Sequence, residues 1–330
     1  MEVVICCPAA WWRLDGLWIL PKGIDMLYYA IRRILMACLL ALFVSFVAYA
    51  LIFAAGDPAA ALAGAASSAA DADRLRALYG LDQPIVVQYL HWLSGVLRGD
   101  LGTSLYFGQP VATLLLERFA TTAKLGFFAL ILAIVVAVPL GVVAGRWPNS
   151  IADRLALLLA VVGQAMPSFW FALLLIILFS VNLAILPASG TASWQGYIMP
   201  TIVLGYFAMP AIMRLTRSGM ITALEADYTR TARAMGLSET RVLFDYALRN
   251  AALPIISLAS AQFGFMLAGS VVVENVFAIH GAGALAWESI GRADLPTVQA
   301  LVLCFSLFYV FLTLLADMLN AMLDPRMRTK

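Results

Sequence analysis

The sequence predicts an all-α polytopic membrane protein with about six transmembrane helices. Of the 330 residues, 63% are hydrophobic and only 12% charged, with a mean hydropathy of +0.92. A soluble domain carries about 25% charged residues. Apolar runs of about eighteen residues or more recur along the chain, each long enough to cross a bilayer as a helix. The third observation is an interruption. Residues 222–254, TALEADYTRTARAMGLSETRVLFDYALRNAALP, place Arg230, Arg233, Arg241, Arg249, Glu225, Asp227, Glu239 and Asp245 between two of those runs.

Taken in order, residues 1–25 differ in character from the rest of the chain. They read either as an extension ahead of a natural start at Met26 or as a segment lying on the membrane surface, where Trp11, Trp12 and Trp18 suit the interface. The first span is expected over 34–53, ending at Gly56-Asp57-Pro58. Residues 56–116 are mixed and polar, with a short helix over 71–79, another over 84–97 and a turn at Gly99-Asp100-Leu101-Gly102. This is a small helical element on one membrane face. Further spans are expected over 125–143, kinked at Pro139, over 155–179, interrupted near Pro167, and over 198–213. The last two lie at 255–273 and 298–319, joined by a glycine-rich loop over 274–297. Residues 117–330 thus form the transmembrane core.

The charged interruption, 218–252, reads as a helical handle. Thr222 and Glu225 have capping-box spacing, Gly236 offers the left-handed conformation that ends a helix, and Ser238 suits the cap of a second helix reaching about Asn250. Pro254 would stop that helix or open the next, because it lacks an N–H. The bland alternative is a solvated helical hairpin with no partner.

Charge asymmetry orients the chain. With the N-terminus inside, one face receives Arg32, Arg33, Arg146, Arg154, Arg214, Arg217, the handle arginines, Arg326, Arg328 and Lys330. The other receives Arg74, Arg76, Arg98 and Arg292, with Arg118 and Lys124 near a span end. The positive-inside rule then makes the handle and both termini cytoplasmic, and turns 56–116 and 274–297 outward.

Several chemistries find no support. Lys22, Lys124 and Lys330 lie in no G-x-x-x-x-G-K-[ST] loop, so ATP binding through a P-loop is not expected. Cys6, Cys7, Cys38 and Cys304 and the histidines His91 and His280 show no metal spacing. No H-E-x-x-H or Ser/His arrangement points to an intramembrane enzyme. A helix-turn-helix reading of the handle, with nucleic acid as partner, fails because spans flank it. An ion-gradient carrier needs ion ligands at broken helices, and few carboxylates are candidates. Met166, Met199, Met209, Met213 and Met266 read as core filling rather than as a pathway lining.

The segments Asp227-Tyr228-Thr229-Arg230-Thr231-Ala232-Arg233-Ala234-Met235-Gly236-Leu237-Ser238 and Ala247-Leu248-Arg249-Asn250-Ala251 resemble the coupling loop of ABC importer permeases. The likeness is nearest to B-type subunits of the dipeptide/oligopeptide/nickel family and spans nearly the whole chain from Met26. Tyr79-Gly80-Leu81-Asp82-Gln83-Pro84, Gly99-Asp100-Leu101-Gly102-Thr103-Ser104, Pro167-Ser168-Phe169-Trp170, Arg214-Leu215-Thr216-Arg217-Ser218, Val273-Glu274-Asn275-Val276-Phe277 and Leu323-Asp324-Pro325-Arg326 match in order. Departures fall at Met235, Asp245 and His280, where the family usually has Lys, His and Pro.

The resemblance implies a type I ABC importer permease fold with a cytoplasmic coupling helix, in a prokaryotic inner membrane. It implies uptake of oligopeptides or dipeptides, with nickel or glutathione as alternatives. Implied partners are a second, C-type permease, two ATPase subunits or one fused tandem ATPase, an extracytoplasmic peptide-binding protein and membrane lipids. This chain would bind no cofactor; ATP and Mg would sit on the ATPase partners. The implied coupling contacts are Glu225, Asp227, Tyr228, Thr231, Ala232, Arg233, Ala234, Gly236 and Leu237, with Gly236 the loop glycine, Ala232 the small packing residue and Arg233 the first candidate for a salt bridge to the partner. Glu274 and Phe277 are candidates for the pathway or its outer gate, as is Asp317. A buried helix tie is the alternative reading, favoured for Asp317. The 56–116 element would receive the binding protein or act as a rigid lid.

Overall fold

The computed structural model describes residues 23–55, 80–292 and 294–323, together with 59, 70, 73, 74, 76 and 77. Residues 1–22, Gly56-Asp57-Pro58, most of the expected 71–79 helix and the tail from 324 lie outside them. The helices are α1 (Gly23–Ala55), α2 (Ile85–Leu97), α3 (Val111–Arg146), α4 (Ile151–Ala165), α5 (Ser168–Asn182), α6 (Ile198–Glu225), α7 (Asp227–Ala234), α8 (Glu239–Val276), α9 (Ala282–Gly291) and α10 (Leu295–Leu323). Helices α1, α3, α6, α8 and α10 are long and apolar enough to cross a membrane. The pair α4–α5, bent by 103° at Met166-Pro167, makes a sixth, broken crossing.

Cross-connections show which ends lie together. Arg146 of α3 meets Glu239 of α8, Asp153 of α4 meets Arg217 of α6, and Asn320 of α10 donates to Ser257 of α8. The first two mark the handle end, while the third joins the end of α10 to the middle of α8. At the opposite end Thr122 meets Glu274, Ser104 meets Asp294, and the Gly190 N–H donates to the Phe277 carbonyl at 2.8 Å.

The centre of the bundle is the pair α3–α6, which run in the same direction. Along α3, Ala129, Ala133, Ala137, Gly141 and Gly145 recur at every fourth position and are all buried. That spacing stacks small residues on one helical face and lets two backbones close up. A Cβ on Gly141 would come 2.6 Å from Thr216 Cβ and 2.7 Å from the Met213 carbonyl, and one on Gly145 2.6 Å from Met220 Cβ. A Cβ on Gly205 of α6 would in turn come 2.8 Å from the Ala129 carbonyl. The main apolar core surrounds this contact, with Met199, Met213 and Met266 fully enclosed in it.

Several expectations need correction. Thr222 caps nothing: α6 runs on to Glu225, and the Thr222 hydroxyl donates to the Ser218 carbonyl one turn back. The helix expected to end near Asn250 instead continues through Pro254 to Val276, after a wider turn over Val242–Leu248. Packing of Gly219 against Ala251 and burial of Ala247 and Ala251 hold the chain helical there. The 274–297 loop contains α9, and Glu274 itself lies in the last turns of α8. Helix α3 begins at Val111, so the end of the 56–116 segment belongs to a span.

Substituting Gly141→Val forces α3 and α6 apart and is expected to cost about 2 kcal/mol or more by overpacking. Thermal unfolding of the detergent-purified protein should show a lowered midpoint. Gly291→Ala, where a Cβ meets nothing within 4 Å, should leave it unchanged.

Candidate functional site

At the handle end α6 breaks at Ala226, whose extended backbone (ψ 151°) turns the chain into α7. The last carbonyls of a helix lack internal donors. Here the buried Thr229 hydroxyl lies 3.0, 3.1 and 2.6 Å from the carbonyls of Ala223, Leu224 and Ala226. It pins α7 to the end of α6.

Helix α7 has two different faces. Thr229 and Ala232, one turn apart, are fully buried against the bundle. Asp227, Tyr228, Arg230, Thr231 and Ala234 are exposed. Partial burial pushes the Tyr228 phenol up from its ordinary pKa, and a hydrogen bond with Asn250 opposes the shift. The helix ends on Gly236 at φ +78°, with the Leu237 N–H donating to the Ala232 carbonyl and the Gly236 N–H to the Arg233 carbonyl. This double bond pattern needs a left-handed residue, which glycine supplies without strain.

Beneath α7, Val142, Met220, Ala223, Ala247 and Ala251 form a separate apolar cluster. Above it Glu239, just after the handle turn, joins two arginines. One oxygen accepts from Arg233 Nε at 2.9 Å, and the other lies 2.8 Å from Arg146 Nη2 at the end of α3. Asp153, almost wholly buried, accepts both Arg217 Nε at 2.6 Å and Nη2 at 2.7 Å, and also the Asn149 N–H. The handle is therefore rooted in α3, α4, α6 and α8 together.

The coupling residues read from the sequence divide accordingly. Glu225, Asp227, Tyr228, Thr231, Ala234 and Gly236 are exposed, Arg233 and Leu237 are half-buried, and Ala232 faces inward. Arg233 is paired with Glu239 of this chain.

The gate candidates lie elsewhere. Glu274 is fully buried, accepting the Thr122 hydroxyl at 2.6 Å and the Ala284 N–H at 2.8 Å, while Thr122 accepts the Ala282 N–H at 2.7 Å. Its carboxylate sits over the first turn of α9, where unpaired N–H groups and the helix dipole favour negative charge. A Cβ on Gly281 would overlap that carboxylate. Glu274 thus holds the geometry of a helix tie. Phe277 is a core side chain. Asp317 borders a small cavity between α1 and α10, with Met36, Leu40 and Thr313.

Sequence reasoning did not single out Asp153, Arg146 or Asp294. Asp294 is fully buried and accepts the Ser104 and Thr297 hydroxyls and the Leu105 N–H. Local signals existed. Ser150 three residues before Asp153 is an N-cap spacing, and the Asp153 N–H does donate to the Ser150 hydroxyl. Asp294 just before Leu295-Pro296 is another helix-start pattern.

Comparison with known proteins bears on this arrangement. Residues 137–329 match the family described as "binding-protein-dependent transport system inner membrane component", and residues 26–126 match the N-terminal region of such membrane components. The chain is a member of the binding-protein-dependent ABC importer permeases of the peptide/nickel family.

Two similar relatives are the glutathione transport system permease proteins GsiC of Salmonella typhimurium and of Escherichia coli K12. They are 40% and 39% identical over 306 residues, covering 92% of this chain and all of each relative. The fold of the permease also resembles a chain of the MetNI methionine ABC transporter in an inward-facing conformation. That match has a TM-score of 0.54 and 17% identity, covering 64% of this chain and 97% of the other. The permease is thus a multi-pass transport subunit of a multi-component system, not its ATPase.

Glu274→Ala should leave the Thr122 hydroxyl and the Ala284 N–H buried without an acceptor, costing about 1–3 kcal/mol. A lowered thermal midpoint of the purified permease, and faster proteolysis near α9, are the expected readouts.

Proposed function

We propose that the permease forms one half of the translocation pathway of an ATP-driven importer of short peptides, and that α7 is the element its ATPase partners hold. Glutathione, itself a peptide, is the cargo to test first, because relatives 40% identical over 92% of the chain carry that transport in their names. The observation that carries the coupling reading is the two-sided character of α7: one face locked to the bundle, the other polar and exposed. The positive-inside charge distribution supports a cytoplasmic handle end, the side on which ATPase subunits carrying ATP and Mg would work. An external binding protein would deliver cargo to the opposite end, and a second, related permease would complete the path.

Coupling follows from the connections of α7. A push on it reaches α3 through Arg233, Glu239 and Arg146, and reaches α6 through Thr229. Those two helices are the close-packed pair, so they move as one body. ATP-driven closure of the ATPases shifts the permease between states only as far as they bind the two states differently.

Gly236→Glu places a charge on the exposed turn and forces a left-handed side chain, a strain of about 1–2 kcal/mol. The assembled complex in vesicles should keep hydrolysing ATP while uptake falls at least about tenfold, as one lost contact of ~1.4 kcal/mol allows. Normal uptake would count against docking at this turn.

Glu239→Gln leaves the fold in place, because exposed ion pairs contribute only about 0–1 kcal/mol each. It severs the link to α3, so ATP turnover per molecule of cargo imported should rise with an unchanged thermal midpoint. Uptake driven by an ion gradient without ATPase subunits would instead establish a secondary carrier.

A further inference from the structure

Arg214, counted from the sequence among the charges of the cytoplasmic face, stands within the α6 span about 18 Å before the break at Ala226. It lies about 24 Å from the start of a helix about 42 Å long, inside a segment long and apolar enough to cross a membrane. Its side chain is exposed rather than packed into the bundle. Nη1 donates to Gln164 Oε1 at 2.8 Å. Among the described residues no carboxylate lies within salt-bridge distance of it, whereas its neighbour Arg217 is neutralised by Asp153.

The direction of the side chain matters. Helix α4 runs antiparallel along α6. Asp153 sits beside Arg217, and Gly163 sits against Pro210 and Tyr206, whose hydroxyl donates to the Val162 carbonyl at 2.9 Å. Gln164 therefore stands level with residues 206–210, farther from the handle end than Arg214. An arginine facing lipid extends toward the nearer interface to keep its head in water. This one reaches the other way, toward Gln164 and the break between α4 and α5. Ionisable groups within a span face a bundle interior or a water-filled cavity rather than lipid.

We infer that Arg214, steadied by Gln164, lines the aqueous translocation path and is the cationic contact for a carboxylate of the passing cargo. The fork of a guanidinium suits a carboxylate in two-point contact. One neutral amide partner leaves most of its donors available. The inference rests on the importer reading and adds the chemical class of group recognised inside the membrane.

The test uses the full chain assembled with its second permease, ATPases and binding protein in vesicles, with the native cysteines replaced by serine where thiols are read. Arg214→Cys should react with a charged methanethiosulfonate at a rate comparable with Asn149→Cys in the loop. Uptake is measured with S-methylglutathione, whose blocked thiol spares the reagents, and with its diamide, which lacks both carboxylates. Arg214→Gln should reduce uptake of the free acid relative to the diamide about tenfold, the loss of one charge-assisted hydrogen bond. Arg214→Lys should restore most of it.

Equal losses for acid and amide would assign Arg214 to an ion pair with the second permease and overturn the inference, as would unchanged uptake. Should the unaltered complex import neither probe, the peptide reading itself fails. The thiol arm then still decides separately, and an Arg214→Cys variant that resists the reagent sinks the inference.

Discussion

The close approach of α3 and α6 is the contact on which the rest of the bundle depends. In a bilayer, burying apolar side chains between helices gains little, because lipid tails are as apolar as leucine. What remains is dispersion and fit. The alanines and glycines from Ala129 to Gly145 supply that fit by allowing backbone to meet backbone. With the pair fixed, α4 and α5 lie on one flank of α6, α8 packs across both helices through Phe263 against Gly126, and α10 and α1 lie outside α8.

The two ends of the pair are finished with different chemistry. At the handle end, charged partners meet: Asp153 with Arg217, and Glu239 with Arg146 and Arg233. At the opposite end the buried carboxylates of Glu274 and Asp294 have hydroxyl and amide donors. The Asp153–Arg217 pair is bidentate and almost wholly enclosed on the acid side, so removing either partner strands a charge. The Glu239 links are exposed and add little to stability. They are the polar route between α7 and α3.

Much of this was legible in the sequence where the governing physics is local. The apolar runs gave the crossings, Pro167 the broken one, and Gly236 the end of α7, because a left-handed residue announces itself as glycine. What stayed hidden depended on neighbours distant in the chain. Thr222 and Glu225 have capping spacing, but Met220 and Ala223 pack beneath the handle and carry α6 straight through. Pro254 looks like a boundary, yet Ala247 and Ala251 keep α8 helical around it. Gly281 and Gly283 suggested an irregular loop. They are small because the Glu274 carboxylate and the Val271 backbone leave no room for a Cβ. The same crowding seats the Glu274 carboxylate over the first turn of α9.

Asp294 carries one more consequence. It gathers the Ser104 hydroxyl and the Leu105 amide across 190 and 189 positions of chain. That clasp cannot close until nearly the whole polypeptide has left the ribosome. Such long-range closure is slow and comes late in folding. The turn at Ser104 and the start of α10 are therefore fixed together, late in folding. A chain ending before Asp294 leaves the Ser104 hydroxyl and the Leu105 amide without that acceptor.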